Sequence, residues 1–422
     1  MNQSKTFADL ALAEPLLRAL GAAGLVTPTP IQAEAIPALL DGRDMLGIAQ
    51  TGTGKTAAFG LPLLQHLARR AEGLQPRSVR ALILAPTREL AMQIDEELRK
   101  FGRFLGIRHA LVFGGVGHTP QIRALEKGVD ILVATPGRLL DHLDAGVVKL
   151  DRVQYLVLDE ADRMLDMGFV RDVMKIVGRL PEERQSLLFS ATMPAEVAQL
   201  SKRILKDPLR VEVTPEVVTV ERIDQRLYHV PAGEKRGFLV DLLSDETMRR
   251  VIVFTRTKHG ADRVAQHLSK ARIETLALHG NKSQGARQKA LAGFKDGSLR
   301  VLVATDIAAR GIDVSDVTHV VNFDLPDEPE AYVHRIGRTA RAGREGVAYS
   351  LFDAGESQRL KAIERLIRRP IPEVATRYKL HAPSSRPAAD SDRGGDLQRE
   401  GRPMPQKSKK NRWRSQQRRR AA

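Results

Sequence analysis

The feature that most constrains this chain is the alternation of short, β-branched apolar runs with longer, polar segments of helix length. In the first half these runs are Ala81–Ala85, Ala110–Phe113, Ile131–Ala134, Tyr155–Leu158 and Ser186–Phe189. Continuous apolar runs are typical of parallel strands that are covered on both faces, and alternation with helices predicts βαβ units. The first half is therefore predicted to form an α/β domain with a mostly parallel sheet flanked by helices.

The same pattern starts again in the second half. Its runs are Val251–Thr255, Thr275–Leu278, Val301–Ala304, His319–Asn322 and Val347–Leu351. A chain of 422 residues exceeds what one hydrophobic core usually organises. Between the halves lies a stretch with prolines at 208 and 215 and no helical period. We predict a first domain over residues 1–208, a linker over 209–220 and a second α/β domain over 221–372.

Residues 373–422 have a different composition, rich in Pro, Ser, Gly, Gln and Arg. They hold 14 Lys and Arg against five Asp and Glu, a net +9 out of +16 for the whole chain. Such a segment cannot bury enough apolar surface to build a core. It is predicted to be a disordered basic tail, which either tethers a polyanion or only keeps the protein soluble.

Charge and aromatic content limit the kind of partner. The net charge of +16 favours a polyanion, although an acidic membrane surface would also fit. Aromatic residues make up only 4% of the chain, whereas modules that read single-stranded bases use aromatic side chains for stacking. If the partner is a nucleic acid, we expect its backbone to be held without sequence preference.

Several classes of protein are excluded or disfavoured. The chain has no cysteine, which excludes disulfides, Cys-ligated zinc, Fe–S clusters and thiol nucleophiles. Residues Met1–Phe7 lack the apolar core of a signal peptide, and no apolar run approaches the ~20 residues that span a bilayer. We expect a soluble, cytoplasmic protein.

A phosphate-binding loop is predicted at Ala49–Thr56, which follows the apolar stretch Met45–Ala49 and opens a helical segment. Its glycines would let backbone N–H groups close around phosphates. Lys55 would reach the β- and γ-phosphates, and the Thr56 hydroxyl would help to hold Mg²⁺. Ala49 stands where the general pattern has glycine.

Two carboxylates, Asp159 and Glu160, follow the apolar run Leu156–Leu158. They would emerge at the carboxyl edge of a buried strand, where open α/β sheets bind ligands. Asp159 fits the role of holding the metal, and Glu160 that of orienting the attacking water. An Asp-Glu pair alone is equally typical of a helix N-terminus, but the loop upstream favours the catalytic interpretation.

Gln32 is a candidate for recognising adenine. A carboxamide offers a donor and an acceptor, which match adenine N6–H₂ and N7. Guanine presents acceptors at both corresponding positions, so GTP would leave one partner unsatisfied.

Taken in order, these segments resemble the motifs of DEAD-box helicases over residues 7–372. Gly24 through Gln32, with Phe7 upstream, resembles the Q motif, and Ala at position 49 is ordinary in this family. The other matches in the first half are Ala49–Thr56, Pro86–Leu90, Gly114-Gly115, Thr135–Arg138, Asp159–Asp162 and Ser190–Thr192. Those in the second half are Val253–Arg256, Thr305-Asp306 with Arg310–Asp313, and His334–Arg341.

The resemblance implies two tandem RecA-like domains that bind ATP and Mg²⁺. Phe7 would stack on the base, with core packing as the alternative, and Asp313 would contact the ribose. The implied catalytic residues are Lys55, Asp159, Glu160, Arg338 and Arg341, the two arginines acting as arginine fingers. Ser190, Thr192 and His334 would couple the domains. The implied nucleotide contacts are Phe7, Gln32, Gln50, Thr51, Gly52, Thr53, Gly54, Lys55, Thr56 and Asp313.

It also implies an RNA-dependent ATPase that unwinds short duplexes locally. The implied RNA contacts are Pro86, Thr87, Arg88, Gly115, Thr135, Gly137, Arg138, Gly280, Gln284, Arg287, Thr305 and Asp306. An ATP-gated RNA clamp would use the same motifs. A DNA helicase of a related superfamily is disfavoured by Asp162, which replaces the His typical there, and by the Q motif.

The segment Leu278–Arg287 and the short basic tail resemble the bacterial RhlE-type group. That resemblance implies a role in ribosome maturation or RNA turnover, for which we expect a monomer.

Overall fold

A computed structural model describes residues 5–49, 52–69, 73–212, 223–309, 317–340 and 345–376. These residues form two seven-stranded sheets in which every described strand pairing is parallel. The prediction of two mostly parallel sheets flanked by helices is confirmed.

The first sheet has the spatial order β3-β4-β2-β5-β6-β1-β7. Its strands are β1 (Met45–Ile48), β2 (Val79–Leu84), β3 (His109–Val112), β4 (Val129–Ala134), β5 (Tyr155–Leu158), β6 (Gln185–Ser190) and β7 (Leu209–Glu212). The central strands are apolar on both faces because helices cover both. Ile83 packs into the core on one face of β2, whereas Leu82 and Leu84 pack into the core on the other.

A 3-10 turn (Phe7–Leu10) and helices α1 to α4 pack on the first of these faces, and helices α5 to α9 on the second. The nine helices are α1 (Glu14–Ala22), α2 (Pro30–Leu40), α3 (Lys55–Arg69), α4 (Arg88–Phe101), α5 (His118–Leu125), α6 (Pro136–Asp144), α7 (Ala161–Asp166), α8 (Val170–Val177) and α9 (Ala195–Ile204). Strands β5, β6 and β1 are neighbours, so the segments that follow them lie side by side at one edge.

The second sheet repeats the arrangement in the order β10-β11-β9-β12-β13-β8-β14. Its strands are β8 (Ile223–His229), β9 (Val251–Phe254), β10 (Thr275–Leu278), β11 (Val301–Ala304), β12 (His319–Asn322), β13 (Gly346–Phe352) and β14 (Glu373–Val374). The accompanying helices are α10 (Lys235–Leu243), α11 (Lys258–Lys270), α12 (Gln284–Asp296), α13 (Asp306–Ala309), α14 (Pro329–Ile336) and α15 (Ser357–Ile367), with a 3-10 turn at Ala354–Glu356.

Two edge strands, β7 and β14, lie outside the predicted domain boundaries. Strand β7 pairs with β1, so residues 209–212 of the predicted linker belong to the first sheet. Strand β14 pairs with β8, so the predicted tail begins with a short strand. The remaining linker residues, 213–220, lie outside the described residues. So do residues 221 and 222 of the predicted second domain and the tail from residue 377. Among the helices of the described ranges, none is long and apolar enough to cross a membrane.

Candidate functional site

The phosphate-binding loop lies between β1 and α3, which begins at Lys55. Gly52 and Gly54 have φ values of 91° and 90°, a left-handed conformation that side chains rarely adopt. A Cβ at Gly54 would also lie 2.3 Å from Gln32 Nε2, so this position requires glycine. Gln50 and Thr51, predicted to belong to the same loop, lie outside the described residues.

Lys55 and Asp159 face each other at the base of this loop. Their Nζ and Oδ1 atoms are 3.6 Å apart, and both side chains are buried. Among the described residues, no group accepts a hydrogen bond from Lys55 Nζ. A buried ammonium without an acceptor is costly unless a ligand supplies one. Burial raises the pKa of the Asp159 carboxyl, and the charge of Lys55 opposes that rise.

These groups fit a magnesium-bound nucleotide triphosphate. A cavity of about 410 Å³ opens over Gly52, Gly54, Lys55, Thr56 and Asp159, together with Glu160. Lys55 could donate to phosphate oxygens, and Thr56 and Asp159 could hold the ion. Within the described ranges, no three His, Asp or Glu side chains cluster as a metal site. Mg²⁺ usually binds through one or two carboxylates plus water and substrate phosphates, so this sparse set suffices.

Glu160 has an unusual backbone conformation, φ 54° and ψ 55°, immediately before α7. A non-glycine residue in this region costs on the order of 1 kcal/mol and persists where its surroundings demand it. The turn aims Glu160 at Arg163, whose Nη1 donates to Glu160 Oε2 at 3.1 Å. Both side chains are buried.

Arg163 explains the ionisation of Glu160. Burial disfavours the carboxylate, but the charges of Arg163, Lys55 and Arg338, with the Arg163 hydrogen bond, outweigh it. The pKa of Glu160 therefore lies below its ordinary value. Arg163 was not singled out from the sequence, although a basic residue three positions after a predicted catalytic carboxylate on a helix is a usable signal.

Asp162 connects this turn to the segment after β6. Its Oδ2 accepts hydrogen bonds from Ala191 N at 3.1 Å, Thr192 N at 2.9 Å and Thr192 Oγ1 at 3.0 Å. Its own N–H donates to Ser190 Oγ at 3.3 Å. Ser190 and Thr192, predicted as coupling residues, are therefore held by the last residue of the tetrapeptide.

Gln32 is bonded to the phosphate-binding loop. Its Oε1 accepts from Thr29 N at 2.8 Å, and its Nε2 donates to Gly54 O at 3.1 Å. The Thr29 hydroxyl donates to Thr53 O at 2.8 Å. The predicted adenine-binding residue thus also ties α2 to the loop.

Phe7 supports the core-packing alternative. Its side chain is 3% exposed and belongs to the core under the first sheet, and its N–H donates to Val26 O at 3.0 Å. This burial favours core packing, and stacking of Phe7 on a base stays a prediction.

Residues of the second sheet approach the same site. Arg338 is buried, and its charge lies close enough to Glu160 to contribute to the lowered pKa of that carboxyl. His334 lies on α14 and surrounds a small cavity together with Asp306 and Arg338. Arg341 and Asp313 lie outside the described residues.

The candidate RNA contacts of the first sheet converge on Arg88. Gly115 has φ 78°, and a Cβ there would lie 2.3 Å from both Nη atoms of Arg88, so the guanidinium packs directly on this glycine. Thr87 caps α4 by accepting from Leu90 N at 3.3 Å. Two further candidates lie at the same edge of the sheet, Pro86 two residues before α4 and Thr135 directly before α6.

Arg138 is fixed beside this group. Its Nη1 donates to Val116 O at 3.0 Å, one residue beyond Gly115. Gly137 has open space where a Cβ would stand, and no left-handed φ.

Two contacts join these residues to candidates from the second sheet. Arg88 Nη1 donates to Gln284 Oε1 at 3.0 Å, and Arg287 Nη2 lies 3.0 Å from Glu89 Oε2. Residues predicted separately as RNA contacts are thus adjacent across the cleft between the sheets.

The Asp306 side chain is paired with an arginine, and its implied contact with RNA stays a prediction. Its two carboxylate oxygens accept from Nε and Nη2 of Arg335, the latter at 2.7 Å. Arg335 is 1% exposed and also donates to Asp324 O at 2.7 Å. The Asp306 side chain therefore anchors a buried arginine, and its neighbour Thr305 is half-buried at the end of β11. Arg335 was not predicted as a functional residue.

Comparisons with known proteins agree with this geometry. A family model described as DEAD/DEAH box helicase matches residues 29–200, and one described as helicase conserved C-terminal domain matches 234–343. A protein of Bacillus cereus named DEAD-box ATP-dependent RNA helicase CshA is 46% identical over 364 residues, covering 86% of this chain and 68% of the relative. The chain belongs to the DEAD-box ATP-dependent RNA helicases.

Two further matches support this membership. The CshA protein of Bacillus subtilis is 44% identical over 364 residues, 86% of this chain and 73% of its own length. The structure titled S. cerevisiae Dbp5 bound to RNA and ADP BeF3 is 34% identical, with a TM-score of 0.77, and covers 88% of this chain and 95% of that one. The two sheets are accordingly RecA-like domains of an ATP-hydrolysing helicase.

Proposed function

We propose that this DEAD-box helicase holds the RNA backbone without sequence preference and unwinds short duplexes locally, through closure of its two RecA-like domains. The observation that carries the proposal is the pairing of Arg88 with Gln284 and of Glu89 with Arg287. These pairs bring the RNA candidates of both domains together. Because the charge of Arg338 in the second domain acts on Glu160 in the first, ATP and RNA would each favour one shared closed state and therefore each other's binding.

In the ATP half, Lys55 would donate to the β- and γ-phosphates, and Thr56 and Asp159 would hold Mg²⁺. When bound, the ion would neutralise charge on the phosphates. Glu160 stays ionised, because its pKa is low, and it orients the attacking water. Arg338 and Arg341 stabilise the charge that develops on the transferred phosphoryl group.

In the RNA half, the glycines are informative. Gly137 and Gly280 have open space where a Cβ would lie and no left-handed φ, so internal packing does not require glycine at either position. An approaching backbone from outside does explain the missing side chains. The RNA candidates include no aromatic residue, as expected for contacts to phosphate and 2′-OH groups rather than bases.

The variant Glu160→Gln tests this assignment. It removes the carboxylate but keeps the shape, so ATP and RNA binding should persist while hydrolysis is lost. Equilibrium binding of both ligands and single-turnover ATP hydrolysis measure the two effects. Normal hydrolysis in this variant would refute the role of Glu160.

The second candidate function is an ATP-gated RNA clamp or remodelling platform with little unwinding of its own. It would use the same cleft contacts, so only product formation separates the two. A strand-displacement assay with a short duplex and ATP should release the strand. ATPase stimulation by RNA but not by DNA of the same length should exclude a DNA helicase.

We infer that the basic tail over residues 373–422 tethers RNA, with solubilisation as the alternative. If all nine net positive charges met single-stranded phosphates, the dependence of log affinity on log salt would steepen by up to ~6. Truncation after Thr376 spares β14 and the hydrogen bond from Thr376 Oγ1 to His229 O. A truncated protein with an unchanged salt slope would leave solubilisation as the role.

A narrower assignment rests on Leu278–Arg287 and the basic tail, which support membership in the RhlE-type group. We propose, on that basis, a cytoplasmic monomer that acts in ribosome assembly or RNA turnover, with ribosomal precursor particles or RNA-decay machinery as partners. Crosslinking in cells followed by sequencing of the bound RNA tests this. Enrichment of ribosomal precursor RNA would support the first role, and of messenger RNA the second.

A further inference from the structure

A short loop between β10 and α12 contains one RNA candidate, Gly280, and leads to two more on α12. It begins at His279, continues through the exposed Gly280, and leads into α12, which carries Gln284 and Arg287. Two exposed glycines lie in the loop and at the start of α12. At Gly280 and at Gly285, nothing lies within 4 Å of where a Cβ would stand, and neither has a left-handed φ.

The underside of this loop is fixed by α11. His279 Nε2 lies 2.9 Å from Asp262 Oδ1, and the same oxygen accepts from Lys282 Nζ at 2.8 Å. Lys258 Nζ donates to Asn281 Oδ1 at 3.2 Å. Three side-chain contacts from one helix therefore hold a loop of five residues, 279–283.

This arrangement is costly for a purely structural contact. His279 is 1% exposed, and its Nδ1 has no hydrogen-bond partner among the described residues. An apolar side chain of similar volume would fill the same space without burying a polar atom. Gly285, in the first turn of α12, is likewise a weak helix former in a place where alanine would fit. The loop is thus held by side chains of α11 on one side and leaves open space at Gly280 on the other.

We propose that Asp262 and His279 are positioning residues for RNA binding. Their contact fixes the position of Gly280 and of the start of α12 relative to α11. From there Gln284 and Arg287 meet Arg88 and Glu89 of the first domain. The inference rests on the proposed RNA role of this loop. Without the pair, the loop has to be ordered when RNA binds, which weakens RNA affinity but leaves the ATP site and the chemical step intact.

The experiment compares Asp262→Ala and His279→Leu with His279→Gln, whose amide nitrogen replaces Nε2 as a donor to Asp262. The matched control is Asp95→Ala in the first domain. Asp95 Oδ1 lies 3.1 Å from His109 Nδ1, in another largely buried His–Asp pair between a helix and a strand. Each protein is assayed for RNA-stimulated ATPase over a range of RNA and ATP concentrations, and for thermal unfolding.

We expect Asp262→Ala and His279→Leu to raise the RNA concentration for half-maximal ATPase by about tenfold, with kcat at saturating RNA and KM for ATP within about twofold of wild type. His279→Gln should restore most of the RNA affinity, and Asp95→Ala should change only the unfolding temperature. The Asp262 carboxylate is 34% exposed, so the test does not depend on the folding of a core variant.

Unchanged half-saturation in both loop variants, or an equal rise in Asp95→Ala, would overturn the inference. So would a fall in kcat with no change in half-saturation, because that pattern locates the defect in the chemical step. If RNA does not stimulate the wild-type ATPase, the proposed function itself fails, and this outcome is visible before any variant is compared.

Discussion

The contact between Arg163 and Glu160 makes a quantitative prediction. In Arg163→Ala, Glu160 keeps its buried position, at 6% exposure, but loses the nearest opposite charge, whose Nη1 lies 3.1 Å from Oε2. Removing one partner of a buried ion pair typically costs about 3–5 kcal/mol, because the remaining charge is left without compensation. Since typical domains are stable by only about 5–15 kcal/mol, urea denaturation should reveal a large loss.

The loss should depend on pH with a definite sign. In the wild-type chain the pKa of Glu160 is lowered, so its carboxylate contributes stability above its unfolded pKa, and this is lost as pH falls through the folded pKa. Without Arg163, the remaining charges of Lys55 and Arg338 have to oppose the burial of Glu160 alone, and we expect its pKa to rise above the ordinary value. Glu160 then destabilises the fold at neutral pH and less so in acid. The difference in unfolding free energy should therefore be larger near about pH 7 than near about pH 5.

Catalysis should respond in the same direction. If Glu160 has to be ionised to orient water, the acid limb of the kcat profile should move to higher pH in Arg163→Ala. The control is Arg80→Ala, which breaks another buried pair, Arg80 Nη1 with Asp130 Oδ1 at 2.9 Å, away from the cleft. It should lose stability without moving the acid limb. An acid limb that stays at the wild-type position in Arg163→Ala would refute the reasoning.

Three further outcomes can be measured. Gly115→Ala should raise the RNA half-saturation several-fold, since its Cβ would stand 2.3 Å from the Arg88 guanidinium, and normal RNA affinity would contradict this contact. Phe7→Leu should lower the unfolding free energy by about 1 kcal/mol with KM for ATP unchanged, whereas a raised KM would restore the stacking role. Arg335→Lys cannot make the bidentate bond to Asp306, so the second domain should lose about 2 kcal/mol in denaturant titration, and an unchanged midpoint would argue against that bond.

The central strands could be predicted from the sequence because they are apolar on both faces. The predicted runs Tyr155–Leu158, Val301–Ala304 and His319–Asn322 have the same bounds as the central strands β5, β11 and β12. In a parallel sheet with helices on both sides, burial demands an unbroken apolar run, and that signal is local.

The edge strands β7 and β14 could not be predicted in this way. Strand β7 reads Leu-Arg-Val-Glu, and its second and fourth residues are exposed. Strand β14 has two residues, Glu373 and Val374. Short, charged edge strands are common because they discourage further pairing, and they look like linker or tail in a sequence. Their membership in the sheets depends on the partner strands β1 and β8.

Side chains whose role depends on a distant partner were the least predictable part of the site. Arginine is among the residues least often buried, so neither Arg163 nor Arg335 is marked by its type. Asp306 looks free to contact a ligand until Arg335, 29 residues later, occupies both of its oxygens. Motif order identifies where such residues stand, whereas their partners follow only from the packing of the sheets.

The three carboxylates of the tetrapeptide Asp159–Asp162 point in different directions and contact different partners. Asp159 faces Lys55, Glu160 turns through its left-handed backbone to Arg163, and Asp162 points away from the phosphates to the segment after β6. Because Glu160 and Asp162 are two residues apart on one short turn, a change in the backbone of that turn would displace both carboxylates. We therefore expect a change at a bound γ-phosphate to affect Ser190 and Thr192 through this turn. Since Asp162 connects the catalytic turn to residues 190–192, we expect domain closure to affect the catalytic centre and the coupling segment together.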